Sequence, residues 1–336
     1  MKKIKIGQIG IGHNHSNKLI SIKKHPELFE LIGYSEQNED WVARRGSNAV
    51  FGDVPRLTEE EIIAKSDAIL VETDVWDLTA TAQKCIDAGK HIHMDKPASG
   101  TLNEYRRLLD TAKAKELVVQ LGYMYRYNPN MEKVLQMAQS GKLGAITSIQ
   151  AEMSTCHSDT YRNWLNNFQG GSMYIFGSHL IDLIIYLLGK PEAVTSYLGC
   201  SEKNGIHSTD LCSATLSYPH AIARVFVSSV EVNGWGRRVF SVAGTEGTVE
   251  LRPIEAPVRM TLATPGDGPT YHADIAKEIP TVEVPNADRY EEMLLAFYDY
   301  IVGAKKNPFT YEHDYAVQEV LDEIVGGVKS LGKNIN

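Results

Sequence analysis

The feature that most limits how this 336-residue chain can fold is a change of rhythm part-way along it. Through about residue 122, short apolar strands alternate with amphipathic helices. The strands read as Lys3–Ile9, Leu28–Ser35, Ala68–Glu72, His91–Met94 and Leu117–Leu121, and the helices as His15–Lys24, Leu78–Ala88 and Leu102–Lys115. Parallel strands need long return connections, so this alternation predicts a parallel sheet with crossover helices. A further helix over Met131–Ser140 is stopped by Gly141. From about Ile146 strands follow one another directly: Ser148–Thr155, Ala193–Leu198, Cys212–Tyr218, Ala221–Val232, Arg238–Val242 and Thr248–Leu251, with one strongly apolar helix, Ser172–Leu188, among them. Sequential strands of this kind predict an antiparallel sheet. Residues 253–286, rich in Pro and Gly, read as irregular, and helices Asp288–Val302 and Tyr311–Ser330 close the chain. A chain of this length suits two domains rather than one core.

Strand one runs directly into Gly10-Ile11-Gly12-His13-Asn14-His15. In the dinucleotide fingerprint G-x-G-x-x-G the first glycine allows a tight turn. The second lets backbone N–H groups approach a pyrophosphate at a helix N-terminus, and the third brings helix and strand together. His15 stands at the third position, which implies a slightly displaced helix. Glu36 ends strand two, where a carboxylate accepts hydrogen bonds from an adenosine ribose and repels a 2′-phosphate; Gln37 and Asn38 follow it, with no arginine at once. The expected cofactor is NAD, with NADP the weaker choice. The fold class is therefore α/β: an N-terminal Rossmann domain over residues 1–122, and a C-terminal α+β domain over 123–336 with an open, mainly antiparallel sheet. His13 and His15, two apart and with no neighbouring Cys or carboxylate in the sequence, make a poor metal site, so no metal is expected.

Composition removes other classes. Charged residues make up 23% and the net charge of −8 is spread along the chain, which leaves no basic stripe for nucleic acid. No window of 18 apolar residues occurs, so no membrane span is expected. The apolar stretch after Lys2-Lys3 is cut by Gly7, Gln8, Gly10 and Gly12, so it reads as no export signal. Cys85, Cys156, Cys200 and Cys212 are far apart, which favours a reducing compartment and a cytoplasmic protein.

The most informative segment is Gly89-Lys90-His91-Ile92-His93-Met94-Asp95-Lys96-Pro97, a strand that ends in an acid, a lysine and a proline. Lysine beside a cationic nicotinamide has its charged form disfavoured and becomes a usable base. The segment resembles the G-K-H-V…E-K-P run of the glucose–fructose oxidoreductase and inositol dehydrogenase family (Gfo/Idh/MocA). Leu121–Pro129 looks like that family's interdomain linker, Ser140-Gly141-Lys142-Leu143-Gly144 like its S-G-x-L-G turn, and Gly244-Thr245-Glu246-Gly247-Thr248 like its late hairpin. The resemblance implies that Lys96 is the catalytic lysine beside the substrate hydroxyl, that Asp95 replaces the usual glutamate, and that the peptide before Pro97 is often cis. It also implies a second domain that supplies the substrate pocket and much of an oligomer interface.

In Gly170–Asp182 the family carries D-x-x-x-H, which sets Asp and His on one helical face. His179 stands at the histidine position and Ile175 at the aspartate position, a departure that bears on the family's ordinary chemistry. Asp182 matches a common family position and reads as a structural partner. A second departure is Thr73-Asp74-Val75-Trp76-Asp77-Leu78, where Asp74 and Leu78 replace a Pro and a His; Thr73 and Asp74 still fall at the strand ends that line a dinucleotide crevice, and Asp74 or Asp77 is a possible source of the carboxylate missing at Ile175. Tyr125, Arg126, His157, Tyr161, Arg162 and Trp164 are candidates for the substrate pocket.

The expectation is an NAD-dependent dehydrogenase that moves a hydride between NAD and a secondary hydroxyl or ketone of a sugar, cyclitol or related polyol. Lys96 and His179 are its catalytic residues. Gly10, Gly12, His13, Asn14, His15, Glu36, Thr73, Asp74, Asp95, Lys96 and Pro97 hold the cofactor. Lys96, Tyr125, Arg126, His157, Trp164 and His179 hold the substrate. Its partners are that small molecule and further copies of itself, as a homodimer or homotetramer. Two alternatives share the fold: glycosidic cleavage through transient oxidation, and a non-catalytic protein that binds NAD and a ligand.

Overall fold

Five strands, β1 (Ile4–Ile9), β2 (Phe29–Ser35), β3 (Ala68–Val71), β4 (His91–Met94) and β5 (Val119–Leu121), pair in parallel in the order β2-β1-β3-β4-β5. The computed structural model describes residues 3–266, 275–285 and 288–326. Every residue of β3 is buried, as expected of a central strand covered on both faces. Connections run through α1 (Leu19–Lys24), α2 (Glu39–Arg45), α3 (Glu59–Lys65), α4 (Leu78–Asp87) and α5 (Leu102–Ala114). Thr58 and Thr101 start α3 and α5 with capping boxes closed by Glu61 and Glu104, which satisfies N–H groups that have no helical partner. Ile4, Ile6, Leu19, Ile22, Phe29 and Leu70 form one core with Leu294, Phe297 and Tyr298 from the late helix Glu291–Ile301.

The chain divides into two compact units. The first comprises Met1–Met124 and Asn286–Tyr315, the second Tyr125–Pro285 and Ala316–Asn336. Sequence reading placed one boundary after Gly122 and gave everything beyond it to the second domain. It did not anticipate the return of residues 288–315, which follows from the apolar face of Glu291–Ile301 packing on β1 and β2 residues.

In the second unit, β6 (Ile146–Glu152), β7 (Ala193–Gly199), β8 (Leu211–Ser217), β9 (Ile222–Ser228), β10 (Val239–Gly244), β11 (Thr248–Leu251), β12 (Met260–Thr264) and β13 (Ile275–Ile279) form one sheet in the order β13-β12-β11-β10-β6-β9-β8-β7. All pairs are antiparallel except β6 with β9. Helices α6 (Pro129–Gln139), α7 (Asp159–Leu165) and α8 (Ser178–Leu188) accompany it. Two expectations are corrected. The stretch 253–286 was read as irregular from its Pro and Gly, yet β12 and β13 lie within it. Pro253 and Pro257 precede β12, whose alternating Met-Thr-Leu-Ala-Thr pairs with β11. The helix expected over Ser172–Leu188 is not uniform either: Met173–Gly177 is a π turn, and α-helix begins only at Ser178. The end of the final expected helix, from residue 327, lies outside the described residues; Tyr311–Ile324 is helical.

Candidate active site

The turn after β1 is built for glycine. Gly10 has φ +89°, and a Cβ there would lie 2.4 Å from the Thr73 backbone nitrogen, so no side chain fits. Glu36 braces the turn from the end of β2: its Oε2 accepts the Ile11 N–H at 2.8 Å and its Oε1 the Asn38 N–H at 2.8 Å. His15 stands where a third glycine is usual, and a 3-10 turn, Ser16–Lys18, precedes α1, in keeping with a displaced helix. His15 makes no side-chain cap, while Asn14 is exposed.

Three side chains that sequence reading did not single out crowd this turn. Trp41 of α2 donates from Nε1 to Asp74 Oδ2 at 3.2 Å, and its indole lies so close to Gly12 that a Cβ there would meet Nε1 at 2.7 Å. Asp74, weighed as a replacement for the carboxylate missing at Ile175, is thus engaged at the glycine turn. Arg45 donates from Nη1 to Ile11 O (2.7 Å), His13 O (2.6 Å) and Ser16 Oγ (2.9 Å), with its guanidinium over the Trp41 ring at 4.8 Å. Arg56 donates to the Glu36 carbonyl at 2.7 Å. Sequence reading looked for arginine only immediately after Glu36, whereas the fold brings two from nine and twenty positions on.

Beneath the turn lies a buried cluster of charge. Asp95 directly follows β4, and the Lys18 ammonium bonds one of its oxygens and also donates to Glu72 Oε1 at 2.6 Å; the side chains of all three are inaccessible to solvent. The Nδ1 atoms of His13 and His15 each approach Asp95 Oδ2 at 3.2 Å. The carboxylate that the two histidines lacked in sequence is supplied by the fold. Its partner is already an ammonium, so the set reads as an ion-pair network. His93 bonds Gln120 Oε1 at 2.8 Å, and Tyr290 places its ring near His15 (5.6 Å) and Lys18 (5.7 Å).

Burial lowers the pKa of His13, and takes His15 and His93 down to about 3, despite Asp95 acting in the opposite direction. All three are therefore neutral near pH 7. Burial pushes the Asp95 carboxyl up, but its neighbours hold it well below the usual range. With the imidazoles neutral, Lys18 is the cation bonded to it. Burial and the Asp95 charge raise Glu72 well above a normal carboxyl, even with Lys18 opposing them. Burial would lower Lys18, yet Asp95 and Glu72 keep it raised.

Lys96 follows Asp95 and is 3% exposed, with a cis peptide to Pro97. Its own N–H donates to Asp95 Oδ1 at 2.7 Å. Burial brings its ammonium down to about 8; Asp95 opposes the change, and Lys18 and Arg289 reinforce it.

In the second unit, His179 is buried at the start of α8, its ring edge-on to Tyr125 at 5.2 Å. Ile175 is buried in the π turn. His157 stacks with Tyr161 (4.4 Å) and with Phe176 (4.9 Å), which lie 6.1 Å from each other, and Trp164 packs on Tyr161 and Phe168. Aromatic faces of this kind suit the C–H face of a sugar ring. Two arginines expected at the substrate are committed elsewhere. Arg126 makes a bidentate pair with Asp182 (Nη2–Oδ1 2.6 Å, Nε–Oδ2 2.9 Å), the structural role read for Asp182. Arg162 is fully buried against Asp210 (2.8 Å) and the Lys203 carbonyl (2.9 Å). A guanidinium without solvent access is stable only when so paired.

Residues 4–123 match the model of an oxidoreductase family with an NAD-binding Rossmann fold, and residues 131–250 match the GFO/IDH/MocA C-terminal domain. The chain belongs to the Gfo/Idh/MocA oxidoreductase family. Its relatives include scyllo-inositol 2-dehydrogenase (NADP(+)) of Bacillus subtilis, 28% identical over 233 residues that cover 68% of this chain and 63% of that one. Glucose-6-phosphate 3-dehydrogenase of the same organism is 27% identical, covering 56% and 54%. The matched part spans between about half and two thirds of these relatives. A levoglucosan dehydrogenase structure in complex with NADH and levoglucosan superposes with a TM-score of 0.82 at 19% identity, covering 99% and 98% of the two chains, which shows the shared fold. No helix among the described residues is long and apolar enough to cross a membrane.

The residues missed by sequence reading (Lys18, Trp41, Arg45, Glu72 and Tyr290) come from separate segments. Lys18 alone carried a signal: a lysine one turn before Ile22 on the apolar face of the first helix has no solvent to reach and needs a buried acid.

Proposed function

We propose that this family member is an NAD-dependent dehydrogenase acting on a secondary hydroxyl of a sugar, cyclitol or related polyol. The observation that carries the reading is Lys96: a buried lysine at the carboxyl end of a parallel strand, brought down to about 8, in the same unit as a glycine turn braced by a carboxylate. The residues fit a dinucleotide, since the backbone at Gly10 admits no side chain and Glu36 stands at the ribose-reading position. When bound, NAD supplies the hydride acceptor. Lys96 Nζ, in its neutral form, takes the proton of the substrate hydroxyl as that bond breaks, and becomes an ammonium. A base that titrates near the working pH combines a populated neutral form with enough proton affinity. The same reading gives His179 a share in orienting the hydroxyl and places sugar faces against Tyr125, His157 and Trp164. The first unit, Met1–Met124 with Asn286–Tyr315, then serves the cofactor, and the second serves the substrate and a homodimeric or homotetrameric interface, in a cytoplasmic enzyme. Glu36 favours NAD over NADP.

The test is NADH formation, followed by absorbance, on a panel that includes scyllo-inositol, glucose 6-phosphate and levoglucosan. Lys96→Met is expected to reduce turnover by about 10²–10⁴-fold on the active compound, the range for loss of a general acid–base. NAD affinity should change little. Full turnover in that variant would overturn the assignment of Lys96. NAD and a sugar both binding with no turnover of any substrate would instead favour a binding protein.

A further inference from the structure

We infer that Lys18 is a positioning residue for the proton-transfer step: by neutralising Asp95 from behind, it keeps the adjacent Lys96 from being locked as an ammonium. The inference rests on the reading of Lys96 as the proton acceptor and deepens it.

Charge placement carries the argument. Asp95 is the residue next to Lys96 and sits at 0% exposure, where a lone carboxylate would bind the neighbouring ammonium strongly. Such a pairing alone would make Lys96 a poor base near neutral pH. The structure inserts a second cation. Lys18, also at 0% exposure, bonds an Asp95 oxygen directly and holds Glu72 Oε1 at 2.6 Å. A lysine that could reach water would not be spent in this way; burial of its ammonium is tolerable only because two acids meet it.

The other groups around the cluster do not supply this charge. His13 and His15 from the glycine turn and His93 from β4 are neutral near pH 7. Glu72, from the end of β3, is pushed up by burial and by the Asp95 charge, with Lys18 opposing, and as an acid it supplies no positive charge. Tyr290 is raised to about 12 and stays neutral. Arg289 is a further cation that acts on Lys96 in the same direction as Lys18. The Asp95–Lys18 pair thus carries no net charge, and Lys96 experiences burial and the Arg289 cation, with Lys18 offsetting part of the carboxylate's pull.

The experiment reads Lys96 directly and needs no substrate. In protein labelled with ¹³C-lysine, the ε-CH2 resonance of Lys96 is assigned by its absence in Lys96→Met and followed from pH 6 to pH 11. The unaltered protein is expected to titrate near 8. Lys18→Met should raise the midpoint by about one pH unit, since an uncompensated carboxylate favours the ammonium. Lys18→Arg should restore it to near 8, and Asp95→Asn should move it below the unaltered value. Opposite signs for Lys18→Met and Asp95→Asn are not produced by general loosening, which would move both midpoints toward the ordinary lysine value. A folded Lys18→Met protein with an unchanged Lys96 midpoint overturns the inference. Where Lys18→Met does not fold, Asp95→Asn decides, and an unchanged or raised midpoint overturns it. The enzymatic reading fails separately, by full turnover in Lys96→Met, and that result would leave the titration shifts as they are.

Discussion

Lys96 should cost the protein stability that its replacement returns. It titrates near 8 in the folded chain and near 10.5 when exposed. Its folded pKa is depressed, so the sign is that of a penalty on the charged form: fully present below pH 8, shrinking between pH 8 and 10.5, and gone above. At one unit per 1.36 kcal/mol, the penalty at pH 7 is about 3 kcal/mol, and at pH 10 it falls below about 1 kcal/mol. Lys96→Met keeps the length and bulk of the side chain and removes the buried charge. The variant should therefore be more stable than the parent at pH 7, by about 1–3 kcal/mol once local relaxation is allowed for, and the difference should narrow at pH 10. Because the chain has two units, a single global transition is the wrong observable. Urea unfolding followed by Trp41 and Trp76 fluorescence in a Trp164→Phe/Trp235→Phe background reports on the first unit. A Lys96→Met protein less stable than its parent by the same amount at both pH values would refute the argument, because packing, and not charge, would then set the effect.

Glu36 should make NAD bind more tightly than NADP, and Glu36→Ala should narrow the preference; calorimetry showing equal or reversed affinities in the unaltered protein would remove that assignment. Trp41 lies against Gly12, where backbone must approach a pyrophosphate, so Trp41→Ala should speed NAD association by about 2–10-fold, the net worth of one typical hydrogen bond, as measured by stopped-flow. Slower association with weaker binding would instead make the indole part of the binding surface. Arg126→Met should destabilise the second unit by about 3–5 kcal/mol because buried Asp182 loses its guanidinium partner, and Arg126→Met/Asp182→Leu should recover much of that loss in thermal unfolding.

The framework was legible because it is written locally. Strand periodicity and the Gly10-Ile11-Gly12 turn are each fixed by neighbours in sequence, and all five strands of the first sheet fall where alternation placed them, while the short helices Glu39–Arg45 and Glu59–Lys65 were not anticipated. The first unit was less legible at its far end, since nothing local says that Glu291–Ile301 returns to strands near residue 4. The π turn at Met173–Gly177 was also hidden, because an apolar stretch has the same composition in π and α form. From motif position, sequence singled out Lys96, Asp95, Glu36 and His179 as candidates. It did not find what each is bonded to. Arg126 and Arg162 looked like ligands for a sugar because arginine near a pocket often is, and only the three-dimensional partners Asp182 and Asp210 show them committed.

The short acid Asp95, where the resemblance implies a glutamate, also takes a physical meaning once its partners are known. Asp95 is enclosed on the β5 side by Gly122, where even a Cβ would come within 3.0 Å of its Cα and carboxyl carbon. On the other side stand His13 and His15, each 3.2 Å from its Oδ2, and the end of the Lys18 chain. One more methylene would drive the carboxylate into this ring of contacts, which close-packed interiors do not absorb without strain. Lys18 brings the reach that the short acid lacks, from the 3-10 turn Ser16–Lys18 that precedes α1. His15, Lys18 and Asp95 thus meet in one packed arrangement, in which a turn without a third glycine, a long buried cation and a short acid fit together.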